Sequence, residues 1–196
     1  MIPGNGDFIK YCLTIQSLSE ESQKALRSIC SDLSILRNND LQSVGHTCKT
    51  IYFVKKGLLR IYYYKEDKEV TESFEWEGAF VARAESLFSG KPSRKAIQAL
   101  ENSELIAIDA VKLFLLFDKF PELERWFRKI MEQAYVNTVN RLESIQFHSA
   151  DERYAQLLKE HPELLQRVPL KHIASYLGIS AVSLSRIRAG VQGGRT

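Results

Sequence analysis

Hydrophobic periodicity changes once along this chain of 196 residues, close to Pro121. Between about residues 41 and 110, short runs rich in β-branched and aromatic residues alternate with turn residues, a pattern typical of a β-sandwich or barrel. After Pro121 the apolar residues recur at helical spacing, and no further glycine or proline occurs before Pro162. A strand-rich half followed by a helical half predicts an α+β fold.

The helical segment that begins at Pro121 carries two adjoining apolar stripes. The first contains Leu123, Phe127, Ile130, Ala134, Thr138, Leu142 and Ile145, and the second contains Trp126, Met131, Tyr135 and Val139. The strand-rich half can cover one stripe, and the same helix of another copy is the economical partner for the other. We therefore predict a dimerisation helix over 121–148. A helix packed wholly within its own chain is the alternative.

A shorter helix is predicted over about 19–37, ahead of the strands. Ser19 can cap its first turn, and Glu20 and Glu21 suit the positive end of the helix dipole. Apolar residues follow at helical spacing, and the polar residues 38–40 end the pattern.

Composition excludes several classes of protein. With 44% apolar residues and a net charge of +3, the chain can bury a core and is not a disordered polypeptide. No uncharged apolar run approaches the about 18 residues of a membrane span, and the N-terminus lacks the pattern of a secretory signal. The three cysteines form no Cys-x-x-Cys pair, which predicts reduced thiols, no metal site and a cytoplasmic protein.

Positive charge accumulates toward the C-terminus. No acidic residue follows Glu163, whereas five basic residues do, namely Arg167, Lys171, Arg186, Arg188 and Arg195. A basic segment without acids suits a polyanion such as double-stranded DNA. A solvated basic surface is the alternative.

Residues 170–189 have the pattern of two helices joined by a turn. Ala174 is small where the helices would approach, Gly178 suits a positive φ at the turn, and Ser180 can cap the second helix. Six positions would point inward between the helices, namely Ile173, Ala174, Leu177, Ile179, Leu184 and Ile187. The pattern predicts a DNA-binding helix-turn-helix, and an ordinary pair of antiparallel helices is the alternative.

The outer face of the second helix would read the DNA. It comprises Ser180, Ala181, Val182, Ser183, Ser185 and Arg186. Arg186 is its long donor and suits a bidentate contact with guanine, whereas Ala181 and Val182 can contact thymine methyl groups. Phosphate contacts are predicted for Ser180, Ser183, Lys171 and Arg188.

The chain as a whole resembles the Crp/Fnr family of transcription regulators, and most of all its compact Bacteroidetes-type members. Residues 54–60, centred on Gly57, are similar to the strand-glycine-strand signature of the family, and residues 173–188 are similar to its DNA reader. The resemblance implies three parts. They are a jelly-roll-like double-stranded β-helix of the cyclic-nucleotide-binding type over 1–120, the dimerisation helix over 121–148, and a winged-helix-like helix-turn-helix domain over 149–196.

The resemblance also implies site residues. It places Arg186 at the base-reading arginine, while Ala181 and Val182 replace polar readers, so the operator sequence does not carry over. The effector cassette of the family corresponds to Glu85 and Ser86, followed by Arg94, Lys95 and Ala96. Because Ala84 replaces a glycine and Lys95 a serine or threonine, a cyclic nucleotide is disfavoured against another effector or none.

These observations predict a homodimeric, sequence-specific DNA-binding regulator. The alternative is a regulatory module that binds a cyclic nucleotide or another small ligand and acts through protein contacts. An enzyme is not expected, because the sequence carries neither a His-Glu-x-x-His nor a Gly-x-Ser-x-Gly motif. RNA polymerase is a further candidate partner, through the tyrosines at 62–64 and the acidic residues that follow them, for which ordinary sheet positions are the alternative.

Overall fold

The computed structural model describes residues 8–193 of the chain, with side-chain burial through residue 189, and Arg195 lies outside these residues. Its helices are α1 (Phe8–Ile15), α2 (Glu20–Ser28), α3 (Ala84–Ser89), α4 (Ala110–Phe117), α5 (Pro121–Phe147), α6 (Ala150–Glu160), α7 (Leu164–Arg167), α8 (Leu170–Tyr176) and α9 (Ala181–Gly193). Its strands are β1 (Cys30–Ile35), β2 (Asp40–Gln42), β3 (Thr50–Lys56), β4 (Leu59–Lys65), β5 (Lys68–Glu75), β6 (Phe80–Val81), β7 (Lys95–Ala99) and β8 (Ser103–Asp109).

The strands form a roll of two four-stranded antiparallel sheets, ordered β1-β8-β3-β6 and β2-β7-β4-β5. Apolar side chains from both sheets meet between them, including Val54, Leu59, Ile97 and Leu105. Gly57, between β3 and β4, has φ +112°, and an added Cβ would lie 2.2 Å from Ser103 Oγ, so the chain requires glycine there. The predicted α+β fold with a jelly-roll-like N-terminal part is confirmed.

The prediction of a helix over 19–37 is wrong beyond Ser28, where α2 ends. Residues 30–35 form the edge strand β1 instead, which pairs with β8 from Cys30 opposite Ile108 to Ile35 opposite Ser103. Leu33 and Ile35 are half-buried, whereas Ser34 between them is exposed. The ladder with β8 supplies hydrogen bonds that local spacing cannot reveal, and this pairing overrides the helical pattern.

The long helix α5 begins on the roll and then leaves it. Leu123, Trp126 and Phe127 are buried in a core that also contains side chains of α1, α2 and α4. Beyond Met131 the helix is largely exposed, including Tyr135 at 71% and Phe147 at 73%. The predicted uninterrupted helix is confirmed, and both predicted stripes are buried only in its first half.

The C-terminal helices α6 to α9 share a hydrophobic core with the roll. Leu58, Phe74 and Leu100 of the roll are buried together with side chains of the helical part, which are Tyr154, Leu157, Leu164, Val168, Ile173, Ala174, Leu177 and Leu184. Within the described residues this C-terminal part contains helices and no strand. None of the helices in 8–193 combines the length and the apolar content that crossing a bilayer requires.

Candidate nucleic-acid interface and effector cassette

Helices α8 and α9 are joined by the short turn that the sequence predicts. Gly178 has φ +72°, the left-handed conformation that favours glycine. Ser180 Oγ accepts a hydrogen bond from the Ser183 amide at 3.0 Å and so caps α9. Ile173 and Leu184 are buried between the two helices and the rest of the core. The turn geometry and the inward residues therefore agree with the predicted packing.

The outer face of α9 is open to solvent. Exposed residues on and beside this face are Lys171, Ser180, Ala181, Val182, Ser185 and Arg186, while Ser183 and Arg188 are half-buried. The hydroxyl groups of Ser180 and Ser183 lie 2.9 Å apart and bond to each other. All eight residues lie on α8, α9 or the turn between them. The result is a ridge with cations and small side chains but no carboxylate of its own.

The effector cassette is scattered rather than gathered into one site. Glu85 is exposed in the first turn of α3, Arg94 is exposed before β7, and the two form no ion pair with each other within 8–193. Ser86 is buried, where its Oγ accepts from the Cys48 amide at 2.9 Å and donates to the Lys91 carbonyl at 2.5 Å. Ala96 is fully buried.

Lys95 is already paired within the chain. Its ammonium forms an ion pair with Glu72, and the buried Arg83 guanidinium approaches the same carboxylate at 4.0 Å. Burial raises the pKa of the nearby Glu75 carboxyl to about 7, although Ser73 Oγ donates a hydrogen bond to it at 2.7 Å. Lys95, which replaces the serine or threonine of the cassette, is thus held by Glu72, whereas Glu85 and Arg94 both lie at the surface.

A groove of about 490 Å³ lies beside Arg94 and Lys95 and was not apparent from the sequence. Tyr63 and Tyr64 of β4 form one wall, Arg141 and Ile145 of α5 another, and Tyr176 of α8 a third. Its lining residues come from five separate elements, which are β4, β5, β7, α5 and α8, so no local sequence pattern could have brought them together. The Arg141 guanidinium stacks on the Tyr176 ring at 3.8 Å and donates to the Tyr176 carbonyl.

Sequence comparison identifies the roll. Residues 34–120 match the family of cyclic nucleotide-binding domains. No curated relative matches the sequence. The match covers the part of the chain that forms most of the two sheets and excludes α5 and the helices after it.

Solved structures extend the similarity to the C-terminal helices. FixK2 from Bradyrhizobium japonicum superposes with a TM-score of 0.74 at 17% identity, covering 84% of this chain and 85% of that chain. A protein of Eubacterium rectale assigned to the Crp/Fnr family of transcriptional regulators superposes with a TM-score of 0.71 at 18% identity, covering 89% of this chain and 84% of that chain. The c-di-GMP-responsive global regulator CLP of Xanthomonas campestris superposes with a TM-score of 0.69 at 19% identity, covering 87% of this chain and 90% of that chain. The chain thus has the fold of a cyclic nucleotide-binding domain joined by a long helix to a helical unit. Its structural neighbours are regulators of the Crp/Fnr type.

Proposed function

We propose that the protein is a homodimeric, sequence-specific regulator that binds double-stranded DNA in the cytoplasm and is not an enzyme. The observation that carries this proposal is the exposed face of α9, on which Arg186 projects from a capped helix whose inner face is buried. The fold shared with Crp/Fnr-type regulators supports the same function. Membership of the compact Bacteroidetes type stays a prediction, as do the domain boundaries at 120 and 148.

DNA recognition is assigned to α8 and α9. Arg186 reads guanine in the major groove, and Ala181 and Val182 contact thymine methyl groups. Lys171 and Arg188 bind phosphates, and Ser180, Ser183 and Ser185 line the same face. Because phosphate contacts release counterions, the affinity falls steeply as the salt concentration rises.

Dimerisation is assigned to the second half of α5. Met131, Tyr135, Thr138, Leu142 and Ile145 follow one another at alternating spacings of four and three residues, which is the spacing of a two-stranded coiled coil. Of these, Tyr135, Leu142 and Ile145 are exposed, at 71%, 54% and 52%. Pairing this seam with its copy removes the apolar side chains from water and presents two α9 helices about one DNA turn, roughly 34 Å, apart.

Selection of duplexes from a random pool tests the proposed function. We expect the wild-type protein to enrich a pseudo-palindrome whose half-sites lie about one helical turn apart. Arg186→Ala should bind the selected duplex more weakly and tolerate base changes in each half-site. A wild-type protein that enriches no duplex would refute the proposal.

The groove beside Arg94 favours a second candidate, a small-ligand-binding module that acts through protein contacts. Its volume of about 490 Å³ lies in the range of small-molecule sites. RNA polymerase stays a candidate partner in either case, although Tyr62 is only 4% exposed and has the character of a sheet residue. A module of this kind would bind a small molecule tightly and enrich no duplex in the same selection.

A further inference from the structure

Helix α8, the first helix of the proposed DNA reader, lies against an edge of the roll. Strand β5 is the last strand of its sheet, so some of its backbone groups have no neighbouring strand to pair with. Ser175 Oγ of α8 accepts a hydrogen bond from the Thr71 amide at 2.9 Å and donates to the Glu69 carbonyl at 3.2 Å. Ser175 thus supplies the acceptor and the donor that a neighbouring strand would otherwise offer to the Thr71 amide and the Glu69 carbonyl of β5.

A buried arginine joins the sheet to the same helix. Arg60 of β4 is 2% exposed, and its Nη1 donates to Nδ1 of His172 in α8 at 2.8 Å. Its Nε donates to Gln98 of β7 at 2.8 Å, and its Nη2 forms an ion pair with Glu69 of β5. The guanidinium of β4 therefore binds two further strands of the roll and one helix of the DNA reader at once.

A second arginine joins the helical part to the roll at a different set of residues. Arg167 of α7 donates two hydrogen bonds to Glu77, both at 3.0 Å, and two to Glu101, at 3.0 and 2.8 Å. Glu77 also accepts from the Gly57 amide at 2.8 Å, and these bonds hold the pKa of the Glu77 carboxyl below its usual value. Four bonds from one planar group restrict rotation as well as separation.

Aromatic side chains of the two parts also meet in and beside the shared hydrophobic core. The ring of Phe74 in the roll lies 5.2 Å from that of Tyr176 in α8, and Trp76 lies 4.6 Å from the His161 ring that follows α6. The helical part is therefore held against the roll by contacts at several separate points and not by the chain connection alone.

We propose that Arg60 and Arg167 are positioning residues for DNA recognition. They fix the angle of α9 relative to the roll and, through the α5 seam, the distance between the two α9 helices of a dimer. They touch no DNA and act by setting which half-site spacing the dimer accepts. The inference rests on the proposed DNA-binding function.

Duplexes with varied spacers test the inference. The selected pseudo-palindrome is prepared with its spacer lengthened or shortened by single base pairs, together with a duplex that carries one half-site. In the Arg60→Met and Arg167→Gln variants we expect α9 to adopt its DNA-binding orientation relative to the roll about one tenth of the time. These variants should therefore bind the selected full site about tenfold more weakly than the wild type. Their preference for the selected spacer over its neighbours should diminish, while their affinity for the single half-site should match that of the wild type.

Lys159→Gln is the matched control for charge. Lys159 is exposed on α6, and its loss removes one positive charge from the same helical part without touching the roll. This variant should keep the wild-type spacer preference.

Three outcomes separate the claims. A wild-type protein that enriches no duplex refutes the proposed function, and this inference with it. A wild-type protein that selects a palindrome, together with a folded Arg167→Gln variant of unchanged spacer preference, refutes the inference alone. If Arg60→Met does not fold, as judged by thermal unfolding, Arg167→Gln at the half-exposed rim decides the question.

Discussion

Arg60 donates a hydrogen bond to Nδ1 of His172 at 2.8 Å, and the two residues are only 2% and 7% exposed. Because an arginine only donates, His172 must be neutral with its proton on Nε2. Burial, together with the nearby Arg60 and Lys171 charges, lowers the pKa of His172 from its ordinary value of 6.5 to about 4, although the Glu69 carboxylate acts in the opposite direction. A cationic imidazole at this position would face the buried Arg60 guanidinium, with which it shares a positive charge.

This pairing predicts a loss of stability in mild acid. Between about pH 6.5 and pH 4 the unfolded chain binds a proton at His172 that the folded protein does not bind, so the free energy of unfolding falls as the pH falls. The pKa difference corresponds to at most about 3 kcal/mol from this one group. Urea unfolding of the wild type and of His172→Gln at several pH values measures it. In His172→Gln the free energy of unfolding should fall less steeply between about pH 6.5 and pH 4 than in the wild type. An equal fall in both proteins would contradict the assignment of this pH dependence to His172.

Loss of Arg186 should reduce the specificity of DNA binding. We expect Arg186→Ala to lose about 1–3 kcal/mol of discrimination against the wrong base at one position of each half-site, because a bidentate contact is removed. Binding to unrelated duplexes should change much less. Titration of selected and mutated duplexes at one salt concentration measures both. Arg125→Ala, which removes an exposed charge from α5, is the control and should keep the selectivity of the wild type.

A charge in the α5 seam should separate the dimer. Leu142→Glu places a carboxylate opposite its own copy in an apolar interface, where it costs about 3 kcal/mol or more, which is over a hundredfold in the dissociation constant. Sedimentation at several protein concentrations measures the change. Gln146→Glu adds the same charge at an exposed position of α5 outside the seam and should leave the protein dimeric. A dimer that persists in Leu142→Glu would place the interface elsewhere.

Removal of the Lys95 ammonium should destabilise the roll. Lys95→Met leaves the half-buried Glu72 carboxylate without its nearest cation, and we expect a loss of about 1 kcal/mol. Lys91→Met, at an exposed position, should have little effect. Thermal unfolding measures both variants, and adding cyclic AMP to the wild type should not raise its melting temperature. A clear rise would show that the cassette opens to accept the nucleotide.

Local patterns were sufficient for most elements of the fold. The turn at Gly178, the cap at Ser180 and the helix from Pro121 depend on residues within a few positions of one another, and the structure shows each of them. The segment 30–35 is different. Its apolar spacing suits a helix, but its partner strand begins at Ser103, so the pairing that decides its conformation is remote in the sequence.

The candidate sites also divide into residues that local sequence predicts and residues that only remote contacts bring together. The residues on the outer face of α9 follow from helical periodicity, because the neighbours of a helical residue are known in advance. The cassette does not follow from its motif, because Glu72, the partner of Lys95, comes from another strand. The sequence counts Arg167 only as one of the C-terminal basic residues and gives no role to Arg60, because nothing near either residue in the chain indicates its partners.

Spacing, caps and turn residues alone therefore predicted a strand-rich half, a long helix and two helices with an open polar face, because each depends on short-range geometry. The tertiary structure alone decided that Lys95 is neutralised from within and that the helical part is fixed to the roll. Arg60 and His172 are 112 residues apart in the sequence. Burial gives such distant contacts their strength, and burial exists only once the chain has folded.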